Sequence, residues 1–177
     1  ETIASHLVKA NETIVNTYRK FPKENRHGCY FRENVFDVEE LNAGDIDNDG
    51  DDDLLSNLTY YENVGGSFVL RQILNGNGVW SVRLVDFDRD SDLDIVWGER
   101  FGGTVNWIEN TDGFGDFGNF QVISEGFSSV YGINLGDIDG DGDIDAVISN
   151  AISFTPGTID SRIETFYNDG TGVFTAD

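Results

Sequence analysis

Hydrophobic and polar residues alternate along most of this chain in short runs, and from Phe36 onward the pattern repeats three times. Each repeat opens with a run in which apolar residues recur at matching positions: Val38, Val79 and Val130, then Leu41, Val82 and Ile133, then Ala43, Leu84 and Leu135. An acidic stretch follows in every repeat. After it comes an apolar run typical of a buried strand: Leu54-Leu55-Ser56, Ile95-Val96-Trp97 and Ala146-Val147-Ile148.

Each repeat continues with an aromatic strand that ends in Asn, then a Gly-rich turn, then a fourth strand that begins near a Phe. The Asn residues are Asn63, Asn110 and Asn168, and the Phe residues are Phe68, Phe120 and Phe174. We expect the Asn residues to serve the hairpin turns and the aromatic residues to pack between repeats. Four short antiparallel strands in each unit of this length predict a β-propeller blade.

The predicted fold is therefore all-β, with three four-stranded antiparallel β-propeller blades and an N-terminal extension. The blades are expected at about residues 36–75, 76–125 and 126–177, and the extension covers residues 1–35. Because propellers close with about four to eight blades, three blades predict a partial propeller or one completed by oligomerisation. With no Met at its start, the sequence is expected to be a processed product or a part of a longer one.

The extension does not carry the repeat. Thr2–Tyr18 shows helical spacing of apolar residues, although its β-branched run favours a strand equally. The single cysteine, Cys29, excludes a disulfide within these 177 residues and is expected to be a buried apolar residue or to bond outside them. Both histidines, His6 and His27, lie in the extension, where surface or capping roles are expected.

The acidic stretches place Asp at every second position over nine residues. The fifteen alternating residues are Asp45, Asp47, Asp49, Asp51 and Asp53; Asp86, Asp88, Asp90, Asp92 and Asp94; and Asp137, Asp139, Asp141, Asp143 and Asp145. Like charges this close destabilise a fold unless a cation lies among them. Oxygen ligands at positions 1, 3, 5, 7 and 9, with the seventh from the backbone, suit Ca²⁺. We predict about three Ca²⁺ sites.

The composition supports this prediction. The formal net charge is −22, and the three loops, counting Asp52, hold 16 of the 33 acidic residues. Three bound Ca²⁺ ions would reduce the net charge from −22 to −16. Such a charge makes nucleic acid an unexpected partner, and no apolar run is long enough for membrane insertion. Two glycosylation sequons, at Asn11 and Asn57, favour an extracellular or cell-surface location.

The repeat resembles the FG-GAP/VCBS family, which includes the propeller of integrin α subunits. The resemblance covers about Phe36–Asp177 and rests on the Asp-x-Asp-x-Asp-Gly-x-x-Asp loop, the apolar strand after it and the aromatic-x-Asn ending. The family's Phe-Gly signature is poorly kept, with Phe101-Gly102-Gly103 as its closest match. The resemblance implies Ca²⁺ binding between the first and second strands and a role in adhesion or ligand display.

Three functions follow from these patterns. The first is a non-catalytic extracellular calcium-binding module for adhesion, ligand display or assembly, with a protein or glycan ligand. The second is a subunit of a filament, because the two open faces of three blades require further blades from a longer chain or from other copies. The third is the non-catalytic part of a calcium-dependent polysaccharide-degrading enzyme. We expect no catalysis, because no Ser/His/Asp or Cys/His arrangement is visible.

The middle acidic loop is expected to be the weakest calcium site. Its sixth position is Ser91, where the other loops have Gly50 and Gly142, and a non-Gly residue in a left-handed conformation costs about 1 kcal/mol. Arg89 lies within the same loop, and its positive charge is expected to lower the local affinity for a cation.

Overall fold

A computed structural model of the protein describes residues 40–76, 78–155 and 158–176, with the backbone alone for residues 152–155 and 158–160. All regular secondary structure in these ranges is β-strand, and the strands form three four-stranded antiparallel sheets. The predicted all-β fold of three blades is confirmed. The N-terminal extension, with Thr2–Tyr18, Cys29 and both histidines, lies outside the described residues, as do Asn11 and Val38.

The strand order in each sheet follows the chain, so that consecutive strands are neighbours. Sheet 1 contains β1 (Leu41–Gly44), β2 (Asp53–Ser56), β3 (Thr59–Val64) and β4 (Ser67–Ile73). Sheet 2 contains β5 (Val79–Val85), β6 (Asp94–Glu99), β7 (Val105–Ile108) and β8 (Gln121–Ser124). Sheet 3 contains β9 (Ser129–Gly136), β10 (Asp145–Thr155), β11 (Thr158–Asn168) and β12 (Phe174–Ala176).

An acidic loop joins the first strand to the second in every sheet. The two strands pair up to the mouth of the loop, and the last pair includes the ninth loop residue: Gly44 with Asp53, Val85 with Asp94, and Gly136 with Asp145. The three loops therefore start from the same register. This shared geometry follows from the sequence, because the loop lengths are identical and the flanking apolar positions alternate in step.

The sheets pack face to face, and the apolar strands after the loops supply both cores. Ile95 points into the core between sheets 1 and 2, whereas its neighbour Val96 points into the core between sheets 2 and 3. Leu55 joins the first core and Ile148 the second, and all four side chains are fully buried. Complete burial of such a side chain is worth about 2 kcal/mol. The continuous apolar runs thus reflect sheets that are covered on both faces.

The first strands of the three sheets lie beside one another. Strand β5 contacts both β1 and β9, and Ile133 of β9 donates its backbone N–H to Ser81 Oγ of β5 at 3.1 Å. At the outer side of sheets 1 and 2, Gln72 bonds the backbone of Phe117 twice, through Nε2 at 2.8 Å and Oε1 at 3.1 Å. Adjacent first strands are the arrangement of propeller blades around a common axis.

The two outward faces of the stack differ from the packed ones. On sheet 1, Leu54 is buried against partly buried Leu41, Tyr61 and Phe68. On sheet 3, Val147 follows core residue Ala146, points to the opposite face and is half-buried. Within the described ranges there is no helix with the length and hydropathy needed to cross a membrane.

Candidate metal centres

The three acidic loops have one backbone conformation. We name them loop 1 (residues 45–53), loop 2 (residues 86–94) and loop 3 (residues 137–145). In each, the side chain of the Asp at loop position 3 accepts a hydrogen bond from the backbone N–H at position 5. The side chain of the Asp at position 5 accepts one from the backbone N–H at position 7. These bonds measure 3.3 and 2.9 Å in loop 1, 3.3 and 3.0 Å in loop 2, and 3.1 and 2.8 Å in loop 3. Successive Asp turns of this kind wind the chain around a common centre.

Two positions in every loop have a positive φ angle. At the fourth position the angles are 58° for Asn48, 67° for Arg89 and 84° for Gly140, and at the sixth they are 96° for Gly50, 80° for Ser91 and 93° for Gly142. The prediction that the sixth position needs a left-handed conformation is confirmed. Only Ser91 meets that requirement with a side chain, which costs about 1 kcal/mol relative to Gly.

The Asp at position 9 of each loop is fully buried, and its carboxylate accepts hydrogen bonds both from the loop and from the end of the third strand. One of its oxygens accepts the N–H of the loop residue at position 2, and the other accepts the N–H of the Asn near the end of the third strand. For Asp94 these distances are 3.1 Å from Phe87 and 2.9 Å from Asn110. The corresponding pairs are 3.0 and 2.8 Å for Asp53, and 2.8 and 2.9 Å for Asp145.

Three carboxylates in each loop bring one oxygen atom each to within 4.8 Å of the others. In loops 1 and 3 the Asp residues at positions 1, 3 and 9 form the cluster, and in loop 2 those at positions 1, 3 and 5 do. The clusters are Asp45, Asp47 and Asp53; Asp86, Asp88 and Asp90; and Asp137, Asp139 and Asp145. Nine of the fifteen predicted ligands are therefore brought together by the fold.

The carboxylates fit a hard cation by a second criterion. Oδ1 of Asp45 and Oδ1 of Asp86 are buried and have no hydrogen-bond partner. A buried carboxylate oxygen without a donor is costly, because it loses its hydration and gains nothing in return. A cation among three carboxylates would satisfy these oxygens and remove the mutual repulsion. Among the described residues a third buried carboxylate oxygen, Asp143 Oδ1, also has no hydrogen-bond donor, but it is paired with the Arg89 guanidinium. The two that have no cation beside them belong to the first residue of a loop.

Burial and crowding raise the pKa of several of these groups. Burial raises the pKa of Asp94 to about 7, from an ordinary value of 3.8. The pKa values of Asp47 and Asp88 are raised as well, first by burial and then by the next Asp in the same loop. Burial likewise raises the pKa of Asp53. Without a cation, the fold thus resists the ionisation of its own loops.

The remaining predicted ligands have other surroundings. Asp49 and Asp141 accept the turn hydrogen bonds described above, and Asp51 is exposed. At the seventh position, Asp92 and Asp143 turn toward the preceding loop. Asn48 Nδ2 donates to Asp92 Oδ1 at 2.7 Å, and Arg89 Nη2 lies 2.5 Å from Asp143 Oδ1. This leaves the backbone carbonyl as the ligand that the seventh position can offer.

The side chain at position 4 of one loop therefore contacts the Asp at position 7 of the next, through a hydrogen bond from Asn48 and an ion pair from Arg89. This contact joins loop 1 to loop 2 and loop 2 to loop 3. It gives Arg89 a carboxylate partner outside its own loop, and that negative charge offsets part of the Arg89 charge near the loop 2 site. The expected effect of Arg89 on calcium affinity stays a prediction. The sequence of a single loop does not predict this contact, because it depends on two loops, although the fourth position does vary between the three loops as Asn48, Arg89 and Gly140.

The Asn residues at the ends of the third strands also connect neighbouring loops. Asn110 Nδ2 donates to Ile46 O of loop 1 at 2.8 Å, and Asn168 Nδ2 donates to Phe87 O of loop 2 at 2.9 Å. Their Oδ1 atoms accept turn N–H groups, such as that of Gly115 at 3.0 Å. For Asn110 and Asn168 the expected turn role is therefore accompanied by a second role, the attachment of sheets 2 and 3 to the loop before them.

Residues 86–148 match the model of a family described as an FG-GAP-like repeat. The matched segment begins at the first Asp of loop 2 and ends in β10, just after loop 3. The predicted resemblance is confirmed for this segment. No curated protein sequence matches the chain significantly.

Proposed function

We propose, on the premise that residues 86–148 form an FG-GAP-like repeat, that the chain is a non-catalytic, extracellular calcium-binding β-propeller module for adhesion, ligand display or assembly. The observation that carries the calcium assignment is the threefold convergence of carboxylate oxygens within 4.8 Å. Unrelated acidic turns would not have the same strand register, positive φ angles at the same two positions and a buried Asp at position 9 in all three loops.

Calcium suits the loops better than magnesium does. The ligands on offer are carboxylates and backbone carbonyls of a flexible turn, and Ca²⁺ accepts six to eight such oxygens in irregular geometry. Mg²⁺ demands a smaller, near-octahedral arrangement and keeps several waters. The clustered carboxylates at positions 1, 3 and 5 or 9 would hold the ion, and the bound ion would supply positive charge to each loop. The role is structural, because each loop connects the two strands of the first hairpin in its sheet.

Calorimetric titration of the 177-residue chain with CaCl₂ tests this proposal. We expect about three binding events, and we expect Mg²⁺ to bind more weakly to the same sites. Asp47→Asn and Asp139→Asn, each at the third position, should each remove one event, whereas Asp112→Asn, an exposed turn residue, should remove none. Unchanged calcium binding in both loop variants would overturn the proposal.

A second candidate function, assembly through further blades, is supported by the solvent exposure of the apolar side chain of Ile138. The second loop residue is Ile46 in loop 1 and Phe87 in loop 2, and both are 0% exposed beneath the following sheet, whereas Ile138 is 50% exposed. We propose that another blade of the same design, from a longer chain or from another copy, covers this face. Head-to-tail contacts of this kind generate rings or filaments.

Sedimentation of the chain with bound calcium tests self-assembly. If other copies supply the blade, Ile138→Asp should reduce the sedimentation coefficient, because it places a charge where the packed loops carry a buried apolar side chain. Val64→Asp changes an equally exposed residue, 50%, on sheet 1 and should not alter it. A chain that is monomeric at every concentration would exclude copies as the source of that blade.

A further inference from the structure

A depression lies between sheets 2 and 3 at the ends of the strands farthest from the acidic loops. Strand β5 runs from this depression to loop 2, and β6 returns from loop 2 to it. The depression has a volume of about 370 Å³. Its lining residues are Trp80, Arg100, Phe101, Ser128, Ser129 and Tyr131. It thus combines three aromatic rings, three hydroxyls (one of them on Tyr131) and one cation.

The aromatic rings form a platform that sheets 2 and 3 build together. Trp80 on β5 and Tyr131 on β9 have ring centroids 5.3 Å apart and an interplanar angle of 32°. Phe101, in the turn after β6, is 75% exposed and extends the apolar surface. Trp97 and Trp107 are 1% and 3% exposed, so Trp80 is the accessible tryptophan among the three in the chain.

Arg100 holds its charge against this platform. Its guanidinium carbon lies 4.2 Å from the Trp80 ring centroid and 5.0 Å from that of Phe101. Cation–π contacts orient a guanidinium without using its N–H donors. Among the described residues no carboxylate forms an ion pair with Arg100, in contrast to the pairs made by Arg71, Arg83 and Arg89. A guanidinium in this state presents free donors to an anion.

The walls of the depression are held in place by the backbone. Arg100 donates its N–H to Gly78 O at 2.9 Å, and Phe127 donates to Gly103 O at 3.2 Å. Gly103 has φ = 61°, and a Cβ there would lie 1.7 Å from Phe127 O. The turn after β6 is thereby fastened to the connection before β9. These backbone contacts within the chain fix the platform, so that a ligand would not have to order it.

The repeat does not require this feature. The matching turn in sheet 1 is the two-residue connection Asn57-Leu58, and Leu58 is buried in the core. Sheet 2 has five residues between β6 and β7, and they carry Arg100 and Phe101 outward. Packing alone explains neither the longer turn nor an exposed Phe beside an unpaired Arg.

We propose that this depression binds an anionic sugar unit of a glycan, with the sugar ring on the part of the Trp80–Tyr131 platform that the Arg100 guanidinium leaves uncovered and its carboxylate or sulfate on Arg100. Sugar rings have apolar C–H faces that pack on aromatic rings, and the guanidinium fork matches an oxyanion. A neutral sugar would leave Arg100 unused. On a protein of net charge −22, this local cation is what allows an anionic ligand to approach.

The inference names a ligand class for the display role proposed above and rests on that role, but not on calcium. The experiment titrates the calcium-saturated chain with trigalacturonate and follows tryptophan fluorescence, with the neutral sugar galactotriose and an Asp/Glu hexapeptide as comparison ligands. A sulfated oligosaccharide in a further titration distinguishes sulfate from carboxylate. Calcium binding is measured separately on every variant, so that failure of the calcium proposal is recognised independently.

We expect trigalacturonate, the sulfated sugar or both to change the fluorescence, and Arg100→Gln to weaken that binding by about tenfold or more. Trp80→Ala should abolish binding, and Trp80→Phe should restore part of it when binding is followed by calorimetry. Arg71→Gln, which removes an Arg from sheet 1, should have no effect. Absence of binding by both anionic sugars, equal binding of galactotriose or the hexapeptide, or equal affinity in Arg100→Gln would overturn the inference.

Discussion

Arg89 and Asp143, which belong to different acidic loops and different sheets, form an ion pair with 2.5 Å between Nη2 and Oδ1. The Asp143 side chain is only 10% exposed, whereas that of Arg89 is 50% exposed. The pair therefore neutralises a largely buried carboxylate at the seventh position of loop 3. It also lies over Gly142, where an added Cβ would be 2.9 Å from Arg89 Nη2.

Replacement of Arg89 by Ala is expected to destabilise the contact between sheets 2 and 3. The change leaves Asp143 without its cation and supplies no donor in its place, but the partial exposure of Arg89 limits the loss to about 1 kcal/mol. Thermal unfolding in excess calcium measures it. Arg71→Ala is the matched control, since Arg71 pairs with Glu62 within sheet 1 and its loss should change the melting temperature less. Equal shifts for both variants would contradict a role between sheets.

Ser91→Gly is expected to strengthen calcium binding at loop 2. Ser91 is held at φ = 80°, and Gly relieves about 1 kcal/mol of strain in the folded loop. Calorimetric titration should show that the weakest of the calcium-binding steps becomes tighter. Thr111→Gly is the control, because Thr111 lies in a turn without a positive φ and Gly there should only destabilise. An unchanged weakest step would show that loop 2 is not the weakest site.

Asn168→Ala is expected to destabilise the protein more than Asn63→Ala does. Asn168 Nδ2 bonds Phe87 O of the preceding loop at 2.9 Å and Ile144 O at 3.1 Å, and its loss leaves buried carbonyls unpaired. Asn63 Nδ2 bonds Asp52 O of its own loop. We expect a difference of about 1–3 kcal/mol in the free energy of unfolding, measured by urea denaturation. Equal losses would mean that the bond between sheets contributes nothing beyond the hairpin turn.

The dependence of stability on pH should change with calcium. Burial raises the pKa of Asp94 to about 7 in the folded protein without metal, above its ordinary 3.8. Its contribution to stability is therefore fully present below about pH 4 and is lost as pH rises through 7. In EDTA, the melting temperature should fall between about pH 4 and pH 7. Asp94→Asn should make that fall smaller.

With calcium the opposite direction is expected. Ionised carboxylates bind the cation, so the gain in stability from calcium should increase with pH. At a free concentration one hundredfold above Kd, each site adds about 2.7 kcal/mol. A melting temperature in EDTA that rises with pH, or one that calcium leaves unchanged at about pH 8, would contradict these expectations.

The sequence alone was sufficient to predict the sheets because their pattern is local. Alternation within each strand and the continuous runs Leu54-Leu55 and Ile95-Val96 identify strands that are covered on both faces. The strict nine-residue spacing also identifies the loops and the left-handed sixth position. These features depend on backbone geometry within one repeat, and a threefold repeat states them three times.

Contacts between repeats could not be predicted in the same way. Nothing in the loop spacing shows that Arg89 reaches Asp143, or that Asn110 reaches Ile46, since each contact depends on how two sheets are rotated against each other. The division of the loop carboxylates into ligands and hydrogen-bond acceptors is also a result of packing. Asp53 is fixed by the N–H groups of Ile46 and Asn63, and burial of that kind is a property of the assembled fold.

The Asn links between the sheets have one polarity. Loops 1 and 2 are each completed by the sheet that follows, through the Asn110 or Asn168 side chain near the end of that sheet's third strand. Stability should then resemble that of a linear array, in which every unit has an intrinsic term and a nearest-neighbour term. Loop 3 has no such neighbour among the described residues. Unless a further blade covers loop 3, its amide hydrogens should exchange with solvent sooner than those of loops 1 and 2, and unfolding should begin at sheet 3.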